Sequence, residues 1–284
     1  MAVADLIKQA RLDEALKEAE NAVRNDPSAV KHRVLLFQLL CVQGAWERAT
    51  TQMNVTAQMD GKSLLMIEVC RQATLCERFR AEVFAGKRTP VVMGEPEPWV
   101  GWMIEALGMN ARGEHAAAAD LRSKALEAAP DFPGVINGNR IDFIVDADIR
   151  LGPILEVLVQ SNYYWVPLSR LKRLRIEKPT DLRDMVWAPA SFVWTSGAAQ
   201  EGFVPTRYPG SEKSPDHAIR LSHKTDWTDI GDGATFIGTG QRVFATSGGD
   251  VALLETSELV LDNEMAVAPA PPSDASDAKE SAGG

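Results

Sequence analysis

The sequence predicts an α+β protein: tetratricopeptide-like α-helical hairpins first, then a compact, mostly antiparallel β-rich C-terminal domain built as a partly open barrel or twisted sheet. Three observations predict it. Apolar residues recur at helical spacing through the first 130 residues, in segments that repeat about every 34 positions. The stretch DADIRLGPILEVLVQSNYYW then switches to branched and aromatic runs on either side of a short polar turn, the pattern of a β-hairpin. After it, short apolar runs are separated by glycines, which suits a small sheet or open barrel. The expected organisation is a helical domain over 1–130, an α+β domain over 131–264 and a disordered Pro/Ala/Ser tail over 265–284.

In the first half, Leu12, Ala15, Leu16, Ala19 and Val23 share one helical face. Asp26-Pro27 ends that helix, because the residue before proline avoids the helical region. Ser28 is placed to cap the next helix. Val34 to Cys41 is apolar nearly all round, which predicts a helix sandwiched between neighbours. The block around Ala15 recurs around Ala49, a step of 34 (49 − 15), and again around Ala118, a step of 103 (118 − 15). A period of 34 is that of tetratricopeptide hairpins, where small alanines sit at helix crossings. Leu65, Val69, Ala73, Cys76, Phe79 and Val83 predict a long helix over 63–85, ended by Gly86. Pro98 suits the first position of another helix, on which Trp99 and Trp102 share a face. These tryptophans read either as anchors for a partner or as core between helix pairs.

In the second half, Asn139 to Val145 reads as one strand entering the acidic turn Asp146-Ala-Asp148. Ile154 to Val159 and Tyr163 to Val166 form the hairpin. A helical turn at Pro167 to Arg170 leads into a strand over Leu171 to Ile176. Its cations, Arg170, Lys172, Arg173, Arg175 and Lys178, read as a solvated edge rather than a phosphate site, with Glu177, Asp181 and Asp184 close enough in sequence to neutralise them. Thr180 or Asp181 caps a turn before a strand over Ala188 to Trp194, which returns after Gly197. Ala218 to Leu221, Thr235 to Ile237, Gln241 to Thr246 and Val251 to Leu254 read as further short strands.

A net charge of −9 disfavours a nucleic-acid binder, which needs a basic face. The three cysteines, Cys41, Cys70 and Cys76, lie in apolar helical segments and read as buried, reduced thiols of a cytoplasmic protein. The four scattered histidines give no metal-ligand spacing, and no cofactor motif is present. No stretch is apolar for long enough to span a bilayer, and no signal peptide opens the chain. Asp146, Asp148 and Arg150 either close a structural turn or, with Arg207 and Tyr208, form the site of an enzyme. Neither a nucleophile elbow nor a phosphate loop is found.

The blocks DADIRLGPILEVLVQSNYYWVP, DLRDMVWAPASFVW and VPTRYPGSE resemble the ImpE/TagJ (SciE-type) accessory proteins of bacterial type VI secretion. VRNDP and LLFQLLCVQGAWERA are similar to that family too, and the resemblance runs over about residues 5–262. It implies a cytoplasmic, non-enzymatic adaptor. It further implies binding to the N-terminal helix of the small contractile-sheath subunit (TssB/VipA), with a link to the recycling ATPase ClpV; charge and hydropathy give no nucleic-acid or membrane partner. The family supplies no residue map. The residues singled out here for partner binding are Trp99, Trp102, Asp148, Arg150, Tyr164, Trp187, Arg207 and Tyr208.

Overall fold

The computed structural model describes residues 2–95, 97–230 and 235–264. The expected tail over 265–284 and Gly231-Asp-Gly233 lie outside the described residues. The helical half runs α1 (Val3–Lys8), α2 (Leu12–Asn25), α3 (Val30–Val42), α4 (Trp46–Met59) and α5 (Leu64–Phe84). A two-residue strand β1 (Val91–Val92) follows, then α6 (Pro98–Ala111) and α7 (His115–Ala128).

The repeat is physical. Leu12 and Trp46, which open α2 and α4, stand 34 positions apart, as do Val30 and Leu64, which open α3 and α5. The three alanines aligned by the repeat, Ala15, Ala49 and Ala118, are each 0% exposed. A larger side chain there would push crossing helices apart. Leu36 to Val42 of α3 are all buried, as an all-round apolar helix requires. Pro98 opens α6 as its sequence position dictates. The α3 cap differs from expectation. Asp26 Oδ1 accepts both the Ser28 amide (3.2 Å) and the Ser28 hydroxyl (2.7 Å), and α3 starts after Ala29 without a side-chain cap. An Asx-type turn has claimed the serine.

The β half contributes β2 (Gly134–Ile136), β3 (Asn139–Ile141), β4 (Ile144–Asp146), β5 (Ile154–Val159), β6 (Asn162–Pro167), β7 (Leu171–Ile176), β8 (Trp187–Trp194) and β9 (Ala199–Pro205). Then come α8 (His217–Arg220), β10 (Thr225–Asp229), β11 (Phe236–Gly240), β12 (Val243–Thr246), β13 (Gly249–Ala252) and β14 (Glu258–Leu261). The main sheet is open, in the order β1-β6-β5-β9-β8-β7-β14-β2-β3. β1 lies parallel to β6, and the other pairs in this sheet are antiparallel. Smaller sheets join β13-β12-β4 and β10-β11. Since β1 comes from the helical half, both halves complete one sheet, and a single apolar cluster runs from Leu6 to Leu261.

The β5–β6 hairpin pairs Val159 with Asn162 across Gln160 and Ser161, whose φ angles are 49° and 64°. Both central residues are left-handed, which is the two-residue turn that matches strand twist. In β7, Leu171, Leu174 and Ile176 face inward while Arg173 and Arg175 face out. Their neutraliser is not the nearby acidic run but Glu258 on the adjacent β14, 3.6 and 2.8 Å away. Asp181 caps the turn before β8 in a capping box with Asp184.

Three strand expectations are corrected. Residues 139–145 break at Asp142–Phe143 into β3 and β4, which join different sheets; the Asp142 amide donates to Ser247 Oγ (2.8 Å) at the break. Residues 218–220 belong to α8 and Leu221 is its C-cap, because Asp216 accepts the Ala218 amide (2.8 Å) and nucleates a helical turn. His217 therefore opens this helix and His223 lies just past its end. Residues 253–254 leave β13 for a 3₁₀ turn.

The faces of α3 and α5 that a free-standing repeat array leaves open to a ligand are covered here by the chain's own second half. Trp46 stacks on Trp187 (6.0 Å), Arg207 reaches the end of α3, and Phe79 and Phe84 of α5 pack on Tyr163 and Trp165.

Replacing Gln160-Ser161 by Asn-Gly, residues that adopt positive φ readily, is expected to stabilise the protein by about 1 kcal/mol. Thermal unfolding should show the midpoint rising by about 2–4 °C for a chain of this size.

Candidate functional site

Where the helices meet the sheet, charged side chains are buried in a connected row. Glu156 stands in β5, a strand whose six residues are all buried. Arg80 of α5 grips it with two bonds, Nε to Oε1 (2.6 Å) and Nη2 to Oε2 (2.8 Å). The Tyr163 hydroxyl donates to Glu156 Oε1 (2.5 Å) and accepts from Trp165 Nε1 (2.7 Å). Arg242 Nη1 lies 3.3 Å from Glu156 Oε2 and carries the row to Asp146, donating through Nε (2.9 Å) and Nη2 (2.6 Å). Asp146 Oδ1 also accepts from the Tyr208 hydroxyl and the Asp148 amide, both at 2.9 Å. Asp148 in turn holds Arg150, through its amide (3.0 Å) and guanidinium, and accepts the Gly238 amide (2.9 Å). A Cβ at Gly238 would fall 2.3 Å from the Tyr208 ring, so the backbone can lie on that ring only as glycine.

Arg207 ties the row to the helices. Its guanidinium donates to the carbonyls of Val42 (2.6 Å) and Cys41 (3.1 Å), at the end of α3, where carbonyls lack partners within the helix. Arg80 Nη2 donates to the Arg207 carbonyl (3.0 Å). Glu77 lies 3.5 Å from Arg80 and accepts from Trp187 Nε1 (3.1 Å). The carboxylates Glu77, Glu156, Asp146 and Asp148 match the guanidiniums Arg80, Arg242, Arg150 and Arg207 one for one.

Burial pushes the Asp146 carboxyl up to about 6; Arg242 pulls it back and Asp148 adds to the rise. Burial likewise raises Glu77 against the pull of Arg80 and Arg207. Glu156 is buried as deeply, but Arg80, Arg242 and the Tyr163 hydroxyl outweigh desolvation and hold it below the usual range.

A cleft of ≈ 250 Å³ opens over one end of this row, between Trp46, Glu77, Arg80 and Phe84 on the helices and Arg150, Pro209 and Glu212 on the sheet side. Arg150 stacks on the Phe84 ring at 5.1 Å. A second cavity of ≈ 220 Å³ lies between α5 and the β5–β6 turn, and a third of ≈ 440 Å³ between α1 and the segment around Leu182. Among the described residues no group of three or more His, Cys, Asp or Glu gathers to hold a metal.

Of the residues singled out from sequence, Asp148, Arg150, Arg207 and Tyr208 do converge, together with Asp146. They form an interior joint instead of an exposed surface: Asp148, Arg207 and Tyr208 are buried, and Arg150 reaches only the cleft. Asp146 is 3% exposed and both its oxygens accept hydrogen bonds from the protein. The turn reading of Asp146, Asp148 and Arg150 therefore describes their geometry. Trp187 is buried against Trp46. Trp99 is buried too, its Nε1 donating to Glu97 (2.8 Å), as core between elements requires. Trp102 is half-buried with the Lys124 ammonium 4.1 Å above its ring, and Tyr164 is half-buried on β6. Sequence reasoning missed Glu77, Arg80, Glu156 and Arg242. Charged residues at apolar-face positions of a predicted helix and strand were the signal available: Arg80 falls within the α5 stripe, and Glu156 interrupts ILEVLV.

The fold and its buried charged joint define a helical-repeat array closed on an antiparallel sheet domain. The crystal structure of protein VPA1032 from Vibrio parahaemolyticus shares this fold, with a TM-score of 0.85 over 93% of this chain and 98% of that one, at 23% identity. Residues 138–260 match the family ImpE protein. The chain is 42% identical over 259 residues, 91% of its length and 90% of the relative's, to the type VI secretion system accessory component TagJ of Pseudomonas aeruginosa. It belongs to the ImpE/TagJ family.

Arg80→Ala strands Glu156 in the interior and is expected to cost about 3–5 kcal/mol. Urea unfolding should show it, while Arg78→Ala, at an exposed position of the same helix, leaves the midpoint unchanged. The joint also predicts a pH dependence. A carboxyl whose folded pKa lies above its ordinary 3.8 holds its proton more tightly in the folded chain. Its stabilising contribution is full below about pH 4 and is lost as pH rises through about 6, with a slope of up to about 1.4 kcal/mol per pH unit. Unfolding free energies measured from pH 4 to 7 should therefore show a shallower decline in Asp146→Asn than in the wild type.

Proposed function

We propose that the protein is a non-enzymatic, cytoplasmic accessory adaptor of a type VI secretion system. In this reading it binds the N-terminal helix of the small sheath subunit (TssB/VipA) and modulates sheath assembly or ClpV-driven recycling. The observation that carries the reading is the 42% identity to an accessory component of that system across 91% of the chain. Three features support it. The carboxylates that sequence offered for catalysis are locked into the joint between halves, with Asp146 closed to solvent. The helical hairpins supply the kind of surface on which amphipathic helices dock. Buried free thiols at Cys41, Cys70 and Cys76 suit a reducing compartment.

Because the inner faces of α3 and α5 are taken by the second half of the chain, the adaptor surface is sought on the outside of the molecule. Isothermal titration of the whole protein with a peptide of the sheath-subunit helix should give saturable binding with a negative heat-capacity change, the mark of apolar burial. No binding at high micromolar peptide would overturn the sheath contact.

A further inference from the structure

α5 is the longest helix among the described residues. Its 21 residues extend about 32 Å at helical rise. The stripe Leu65, Val69, Ala73, Cys76, Phe79, Val83 runs the whole length; it is open toward its start and covered from Ala73 onward. There Cys76 and Val83 are buried, the Cys76 thiol lies 3.6 Å from the Ser161 carbonyl, and Phe79 packs edge-on to Tyr163. Past the β5–β6 turn the stripe overhangs. Val69 is half-buried and Leu65 is 79% exposed.

The ≈ 220 Å³ cavity lies at the point of overhang. Val69, Ala73 and Cys76 form one wall, Leu158 and Phe203 the other, with Gln72, Gln160 and Ser161 at the rim. An exposed leucine, one turn beyond an apolar cavity and in line with the core, is half of a helix-packing interface without its partner. From Leu65 to Cys76 the stripe spans about 16 Å, three turns of a facing helix.

Charge decides what covers it. The one charged residue lining the cavity is Glu201, an exposed side chain with no ion pair among the described residues. A second copy of this chain would bring another −9, so self-association here is opposed. A helix with lysine or arginine beside its apolar stripe is favoured.

We infer that the overhanging half of α5, with the cavity beside the β5–β6 turn, is the docking site for an amphipathic partner helix that inserts one apolar side chain between Val69 and Phe203 and sets a basic residue against Glu201. The inference rests on the helix-binding reading above and locates it.

The test uses the full chain and the sheath-subunit helix peptide in titration calorimetry. Leu65→Asp should weaken binding at least tenfold. Glu201→Lys should weaken it severalfold and reduce its salt dependence. Leu75→Ser, about a quarter turn round the same helix and also exposed, should leave affinity within twofold. Unfolding midpoints of all three should match the wild type, and if Leu65→Asp does not, Glu201→Lys alone decides. Wild-type binding with unchanged affinity in Leu65→Asp and Glu201→Lys would overturn this site and leave the functional reading standing. No binding by the wild type would overturn the functional reading, and this site with it. A wild-type dimer that Leu65→Asp dissociates without changing peptide affinity would assign the surface to a second copy instead.

Discussion

The bidentate bond between Arg80 and Glu156 is the constraint on which the architecture turns. Each partner is desolvated, and neither is tolerable alone. Arg80 can be buried only where Glu156 is, so the bond fixes the depth and rotation of α5 on β5. The neighbours follow from the same requirement. Tyr163 fills a remaining acceptor site of Glu156, Trp165 fills that of Tyr163, and Arg242 passes the charge balance on to Asp146. Apolar residues of similar size could supply as much stability, but without the directional bidentate geometry.

That joint also decides what the helical repeats can do. An isolated tetratricopeptide array owes its usefulness to an open inner face. Here Arg207 bonds the last carbonyls of α3, and Trp187 lies between Trp46 and Glu77. The repeats act as a cradle for the second half of the chain, and what stays open lies elsewhere: the first turns of α5, the rim near Glu201 and the cleft at Arg150.

Periodicity made the helices legible because burial on one face is a local matter of spacing. The three repeat alanines, the all-buried α3 and the β5–β6 hairpin could each be placed from short stretches of chain. Residues 218–221 were misread because four residues with three apolar positions fit either period, and the deciding bond comes from Asp216. Residues 139–145 look continuous; their division depends on Ser247, more than a hundred positions away. The site was legible in some of its members and not in its meaning. Asp146, Asp148, Arg150, Arg207 and Tyr208 stood out as polar residues in an apolar setting. What marks them as interior is the set of long-range partners, Arg80 and Arg242, that no local pattern connects to them. The stripe on α5 was legible too, but only its burial in the folded chain shows where its cover ends.

The separation of Arg80 from Glu156 along the chain, 76 residues, has a consequence for biosynthesis. The ribosome finishes α5 before it begins β5, and β1 is made well before the β6 it will flank. While the first half waits, Glu77 and Arg80 are hydrated, and they lend the helix a polar side where an all-apolar one would invite misassociation. Only when the hairpin arrives are those charges taken out of water together with their counterparts. The same residues thus serve the nascent chain as solubilising groups and the finished one as its fastening.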